Sequence, residues 1–254
     1  MTSTTPEPAS GRPPTPSPEH RTVSRVMSIL EAVVASEPNG LRLADLSGMV
    51  AAPKSSIHGL ARGLVATGYL RDYRGRYYRG PAVAMLALGG EQVPAAYHHA
   101  LQSLSRALNE TALLATLAGD SAINLEIVEP EQTIRASPPL HKRRPLWPIS
   151  SGKVFLAYMD SRRRDLYLNR RHKDPTEQQR IRDELEAIHA TGIAYNRGET
   201  FPDLYGVASP ISIAGTDVTL AIAVAGPATR LHDRLDTIAA AVKSTAEELS
   251  NAMP

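Results

Sequence analysis

Residues 22–79 carry three short helical periodicities followed by a two-strand pattern, and few small folds accommodate that order. Val23, Val26, Met27, Ile29, Leu30, Val33 and Val34 recur at helical spacing, which predicts an amphipathic helix over 22–36. Pro38-Asn39-Gly40 ends it in a turn. Leu43, Leu46, Met49 and Val50 mark a short second helix. Pro53 suits the first turn of a third, whose apolar positions are Ile57, Leu60, Ala61, Leu64 and Val65, and Gly68 follows as its C-terminal cap. The runs 69–72 and 76–79 flank Arg74-Gly75, the pattern of two strands joined by a tight turn. Three helices and a hairpin in this order make a winged helix-turn-helix over residues 21–80.

Charge points to a polyanion as the partner of this first domain. Residues 21–80 hold nine Arg and Lys against four Asp and Glu, a balance of +5, whereas residues 81–254 balance to −2. In a helix-turn-helix the second helix of the motif enters the major groove with its N-terminal residues toward the bases. Here that helix opens Pro53-Lys54-Ser55-Ser56-Ile57-His58, so Lys54, Ser55, Ser56 and His58 offer donors where bases and phosphates would lie. Arg62 follows one turn later. The wing tip Arg74-Gly75-Arg76 is small and positive, which suits phosphate or the minor groove. Arg25 and Arg42 complete the set, and double-stranded operator DNA is the expected partner. Winged helices also serve as dimerisation or protein-binding modules, and serines at these positions double as helix caps.

The remaining chain is long enough for a second domain. Residues 1–20, with prolines at 7, 13, 14, 16 and 18 among polar residues, read as a disordered tail without the apolar core of a secretory signal. Residues 81–93 read as a linker helix. Residues 94–254 mix helical patterns at 95–109, after Ser150-Ser151-Gly152 through 159, at 161–169, 176–190 and 231–251 with strand-like runs at 112–118, 121–128, 132–136, 207–213 and 218–225. The last two runs are joined by Gly215-Thr216-Asp217. This mixture predicts an α+β domain built on one mainly antiparallel sheet.

Several function classes fall away. No stretch reaches the ~18 apolar residues of a membrane helix, so no membrane partner and a cytoplasmic location are expected. With no cysteine there is no disulfide, thiolate ligand or thiol nucleophile. His98 and His99 are adjacent, and His141, His172, His189 and His232 are scattered, so neither metal nor cofactor is expected. Ser150-Ser151-Gly152-Lys153 spells the S-x-x-K of serine acyl enzymes, with Ser150 as nucleophile and Lys153 beside it. No Lys-Thr-Gly accompanies it and no G-x-S-x-G exists, so no enzyme is expected. The runs Lys142-Arg143-Arg144 and Arg162-Arg163-Arg164 read as solvated faces.

A resemblance extends from Arg21 to the C-terminus. Ser24-Arg25-Val26-Met27-Ser28-Ile29-Leu30, Asn39-Gly40-Leu41-Arg42-Leu43-Ala44-Asp45-Leu46, Pro53-Lys54-Ser55-Ser56, Gly68-Tyr69-Leu70 and Arg79-Gly80-Pro81 follow one another in the first part. Ser151-Gly152-Lys153-Val154-Phe155-Leu156-Ala157, Gly192-Ile193-Ala194-Tyr195 and Val207-Ala208-Ser209-Pro210-Ile211 continue it. In order and spacing the chain resembles the IclR family of bacterial regulators. The resemblance implies a GAF-like effector-binding domain over 94–254 and a homodimer through the N-terminal domains, or a dimer of dimers. It also implies a pocket between the loop before Ser151-Gly152 and the segment from Tyr195 to Gly206. Asn196, Leu204 and Gly206 would face the effector, with Ala223 on the floor. Ser150, Ser151 and Gly152 offer hydroxyls and N–H groups at a helix N-terminus, suited to a carboxylate, and Trp147 would form an aromatic wall. The expected effector is a small organic acid, aromatic ones included, or a related amide.

Each assignment has a plainer counterpart: serines as caps, Trp147 as core, Asn196 bonded to its own turn. One departure stands out, because Gly59 occupies a position where the family commonly carries arginine, and Arg62 would replace it from the neighbouring turn. The competing function is a DNA-binding regulator whose C-terminal domain only oligomerises. Gly206 and Ala223 favour a cavity instead.

Overall fold

The computed structural model describes residues 20–83, 93–213 and 216–252. The tail expected over 1–20 lies outside these residues except for His20, as do Gly215 and most of the linker helix expected over 81–93.

The first domain runs α1 (Arg21–Ala35), β1 (Leu41–Arg42), α2 (Leu43–Met49), α3 (Lys54–Ala66), β2 (Leu70–Tyr73) and β3 (Arg76–Arg79). β3 pairs antiparallel with both β1 and β2. Ile57, Ala61 and Leu64 of α3 fall at i, i+4 and i+7 and bury against Ile29 and Val33 of α1, Leu46 of α2 and the strand residues Leu70 and Tyr77. That packing leaves the opposite face of α3 open. The wing turns on Arg74 (φ 51) and Gly75 (φ 74), both left-handed, as a two-residue hairpin loop requires.

The second domain continues with α4 (Ala95–Leu108), β4 (Thr111–Ala118), β5 (Ser121–Val128), β6 (Arg143–Pro145), α5 (Ser150–Tyr158), α6 (Ser161–Arg171), α7 (Pro175–Thr191), β7 (Ala194–Arg197), β8 (Leu204–Ile211), β9 (Leu220–Pro227), α8 (Ala228–Leu231) and α9 (Leu235–Ala252). The six strands form one antiparallel sheet in the order β6-β5-β4-β9-β8-β7. Alternation sorts its two faces. Leu113, Ala115, Ala221 and Ala223 pack toward α5, α6 and α7 with Phe155, Leu168 and Leu185. Ala112, Leu114, Ile222 and Val224 pack toward α4 and α9 with Leu101, Ile238 and Val242. Covered on both sides, β4 and β9 are almost wholly apolar. The α+β architecture and the winged helix stand as expected.

Two details differ from the sequence reading. The run 132–136 forms no strand. Glu129 accepts hydrogen bonds from Arg135 Nε and Ser137 Oγ, both at 2.5 Å, and folds the segment back, leaving Ile134 exposed. The sheet is instead edged by β6 and β7, three and four residues long, too short to show a period.

The domains touch at the β4–β5 turn. Gly68 (φ +79) and Gly119 (φ +62) meet backbone to backbone; a Cβ on Gly68 would lie 2.4 Å from the Gly119 nitrogen. Arg143 donates to Ala118 O and to Thr67 O, each at 2.7 Å, and lies over the Tyr69 ring. Ala82, Ala118 and Ile123 form a small apolar cluster alongside.

Candidate functional site

The open face of α3 gathers most of the polar residues expected to meet DNA. Lys54, Ser55, His58 and Arg62 are exposed and Ser56 is half-buried. The helix starts at Pro53, which supplies no side-chain cap, and neither serine stands at the cap position. The first-turn N–H groups therefore remain available to an anion. Gly59 and Gly63 share this exposed face, and a Cβ at either would meet nothing within 4 Å. Arg74 sits at the wing tip over the Tyr73 ring. Arg76 is directed elsewhere: its Nη1 donates to Asn39 O (3.3 Å) and Gly40 O (3.0 Å), tying the hairpin to the loop after α1. Arg42 is exposed at the start of α2, where its N–H donates to Asp45 (2.9 Å), and Arg25 is half-buried on α1. Arg71, exposed on β2 with its guanidinium over Tyr78, was not singled out from the sequence. Its place directly after buried Leu70 at the start of β2 was the available signal.

In the second domain a cavity lies between the start of α5 and the sheet. Ser150, Ser151, Asn196, Leu204, Gly206 and Ala223 all line it, together with Leu113, Asn124, Ala136, Pro138, Arg144 and Thr200 among others. It leaves about 60 Å³ to the centre of a water, several times the minimum for one water. Ser150 and Ser151 are buried, and among the described residues their hydroxyls have no hydrogen-bond partner. The helix cap is Ile149, with no side-chain acceptor for the first N–H groups of α5. Gly206 keeps this corner open, since a Cβ there would lie 3.1 Å from Ser150 Oγ. Asn196 donates its amide to Pro148 O and Thr200 Oγ1, both at 2.8 Å, which fixes the wall formed by 196–200.

Trp147 and Gly152 do not line this cavity. Trp147 packs against the α5-side core, edge-on to His172 and under the Lys153 ammonium at 4.6 Å. A Cβ at Gly152 would fall 1.9 Å from Leu146 O, so this glycine serves the close approach of α5 to the chain before it. Lys153 is 1% exposed and donates to Glu184 (2.6 Å), Glu199 (2.6 Å) and Tyr195 O (2.9 Å). Those three acceptors match the three ammonium protons, so Lys153 is committed to Glu184, Glu199 and Tyr195 and not to Ser150.

The two basic runs are not simply solvated. Arg143 bridges the domains, Arg144 lines the cavity, Arg163 donates to Gly119 O (2.5 Å), and Arg164 Nε is buried without a partner. Their triplet spelling concealed this, because strand alternation sends Arg143 and Arg144 to opposite faces and the helical step along α6 turns Arg163 and Arg164 apart.

Comparison with known proteins gives the same two-part division. Residues 22–72 match the IclR helix-turn-helix domain, and residues 85–251 match the C-terminal domain described as bacterial transcriptional regulator IclR C-terminal. The chain is 31% identical over 232 residues to the HTH-type transcriptional regulator Rv1719 of Mycobacterium tuberculosis, covering 87% of each. It is 29% identical over 247 residues to the HTH-type transcriptional regulator BhcR of Paracoccus denitrificans, covering 92% of this chain and 87% of that one. Among solved structures, an IclR-family regulator from Rhodococcus sp. shares the fold with a TM-score of 0.62 at 24% identity, over 96% of this chain and 98% of that one.

Proposed function

The chain belongs to the IclR family as a DNA-binding transcriptional regulator with a C-terminal effector domain, and from that premise we propose that α3 reads operator DNA while the cavity under α5 takes a compact organic acid or related amide. The observation that carries the effector reading is convergence. Ser150 and Ser151 hydroxyls without a hydrogen-bond partner among the described residues and an uncapped helix N-terminus open into one cavity walled partly by Leu113, Ala136 and Ala223. A domain that only oligomerised would fill that space with side chains.

For DNA, the reading rests on Lys54, Ser55, Ser56, His58 and Arg62 around the start of α3, with Arg74 at the wing. Arg25, Arg42 and Arg76 are backbone-positioning contacts at most, and Arg76 is already committed to carbonyls. Val23, Met27 and Val34 stay 60%, 46% and 40% exposed along α1, which supports a homodimer through the N-terminal domains. Two recognition helices would then address half-sites a helical turn or a multiple apart. The linker expected over 81–93 is one route between the domains, and the Arg143–Thr67 contact supplies a second.

Operator sequences can be selected from a random duplex pool with the full chain and binding then measured across salt concentrations. Arg62→Ala is expected to weaken binding and flatten the salt slope by about one unit if it contacts phosphate. Unchanged affinity and slope would remove Arg62 from the interface.

A further inference from the structure

Among the described residues the cavity under α5 is lined by a single charged side chain, Arg144, and by no acid. Strand register puts it there. Arg144 stands opposite Ala122 of β5, which faces the α5 side of the sheet with Leu113 and Ala223. Arg143 stands opposite Ile123 and turns the other way, to the winged helix. Among the described residues the Arg144 guanidinium makes no hydrogen bond or ion pair. Burial lowers its pKa from the usual arginine value, and no carboxylate offsets that. Arg144 is half-buried, and a guanidinium partly withdrawn from water without a partner carries a desolvation cost; the matching partner is a planar anion that can accept two parallel N–H bonds. The uncapped first turn of α5 opens into the same cavity and favours the same sign of charge.

We propose that Arg144 is the receptor for the effector's anionic group, so that the effector is a compact carboxylate and not an amide or a neutral compound. This rests on the cavity being the effector site. The space of about 60 Å³ to water centres suits an acid of a few carbons. The carboxylate would bridge Arg144 and the Ser150–Ser151 end of α5, leaving its short carbon chain against Leu113 and Ala223.

The test uses the full chain and three matched pairs, lactate with lactamide, butyrate with butyramide and succinate with succinamide, with inorganic phosphate as a separate arm. Binding is read by thermal shift and then by calorimetry, because a native-state binder must raise the melting temperature. At least one acid is expected to stabilise the wild-type chain while its amide does not. In Arg144→Gln that acid should lose about tenfold to a hundredfold in affinity, the range for a charge-assisted bond, and Arg144→Lys should recover part of it. Since no group among the described residues bonds to the Arg144 guanidinium, Arg144→Gln without ligand should melt at or above the wild-type temperature; a lower value would reassign the residue to the fold.

Equal stabilisation by acid and amide, or acid binding untouched in Arg144→Gln, overturns the proposal while leaving the cavity as an effector site. Stabilisation by phosphate alone replaces the carboxylate with a phosphate. If neither acids nor amides bind, the effector reading of the cavity falls together with this one.

Discussion

Arg143→Ala should separate ligand binding from its consequence at the DNA. Arg143 holds Ala118 O within its own domain and Thr67 O at the end of α3, both at 2.7 Å. Only the second bond crosses between domains. A hydrogen bond from a charged group contributes about 1.5–3 kcal/mol, and the exposure of Arg143 argues for the lower end. Stacking on Tyr69 adds about 0.5 kcal/mol at such a site. The contact is thus worth about 2 kcal/mol between domains, or roughly thirtyfold in an equilibrium. If it distinguishes the ligand-bound from the ligand-free state, its removal should cut the ligand's effect on operator affinity by up to that factor. By reciprocity, the affinity of the operator-free chain for the ligand should shift by no more than that same factor, through the balance of states and not through the cavity, from which Arg143 points away. Anisotropy on labelled operator with and without ligand, beside calorimetry for the ligand, reads both quantities. Arg143→Lys, one cation unable to span both carbonyls, should fall between. A full ligand response in Arg143→Ala would refute the route through β6 and return the signal to the linker.

Three further outcomes follow from the same geometry. Gly206→Phe places a ring where a Cβ already lies 3.1 Å from Ser150 Oγ, so ligand-dependent stabilisation should vanish while operator binding persists; an intact thermal shift would misplace the cavity. Lys153→Met should cost about 2 kcal/mol or more in urea unfolding, since it strands Glu184 and Glu199 around a buried stem, with partial exposure of both acids moderating the loss. A change below about 0.5 kcal/mol would mean the cluster is idle. Glu129 is held below its ordinary carboxylate value of 4.5 first by the Ser137 hydrogen bond and then by Arg135. A depressed folded-state pKa adds stability that is complete above the unfolded value and disappears as pH falls through the folded one. Glu129→Gln should therefore be less stable than wild type at neutral pH and converge with it in acid, and a difference constant with pH would exclude this role.

The winged helix was legible from the sequence because each of its helices buries one stripe. Ile57, Ala61 and Leu64 announce the period, and Pro53, Gly68 and Arg74-Gly75 punctuate it. In the second domain β4 and β9 were legible as apolar runs. β6 was not, since three residues of Arg143-Arg144-Pro145 carry no apolar signal and pair only at the sheet edge. That same omission hid Arg144, whose burial depends on a strand the sequence did not disclose. The serines of α5 were found through resemblance and line the cavity, whereas Trp147 and Gly152, taken from the same segment, do not. Linear proximity to a helix N-terminus does not tell which side of the helix a residue faces.

The most direct test of the central claim is operator affinity across a titration of whichever acid stabilises the chain. A ligand-responsive regulator should show operator Kd changing by about fivefold to 150-fold as the cavity fills, the usual size of a coupling between sites. Stabilisation by the acid with operator Kd unchanged throughout would contradict the account and leave a DNA-binding protein whose C-terminal domain does not signal.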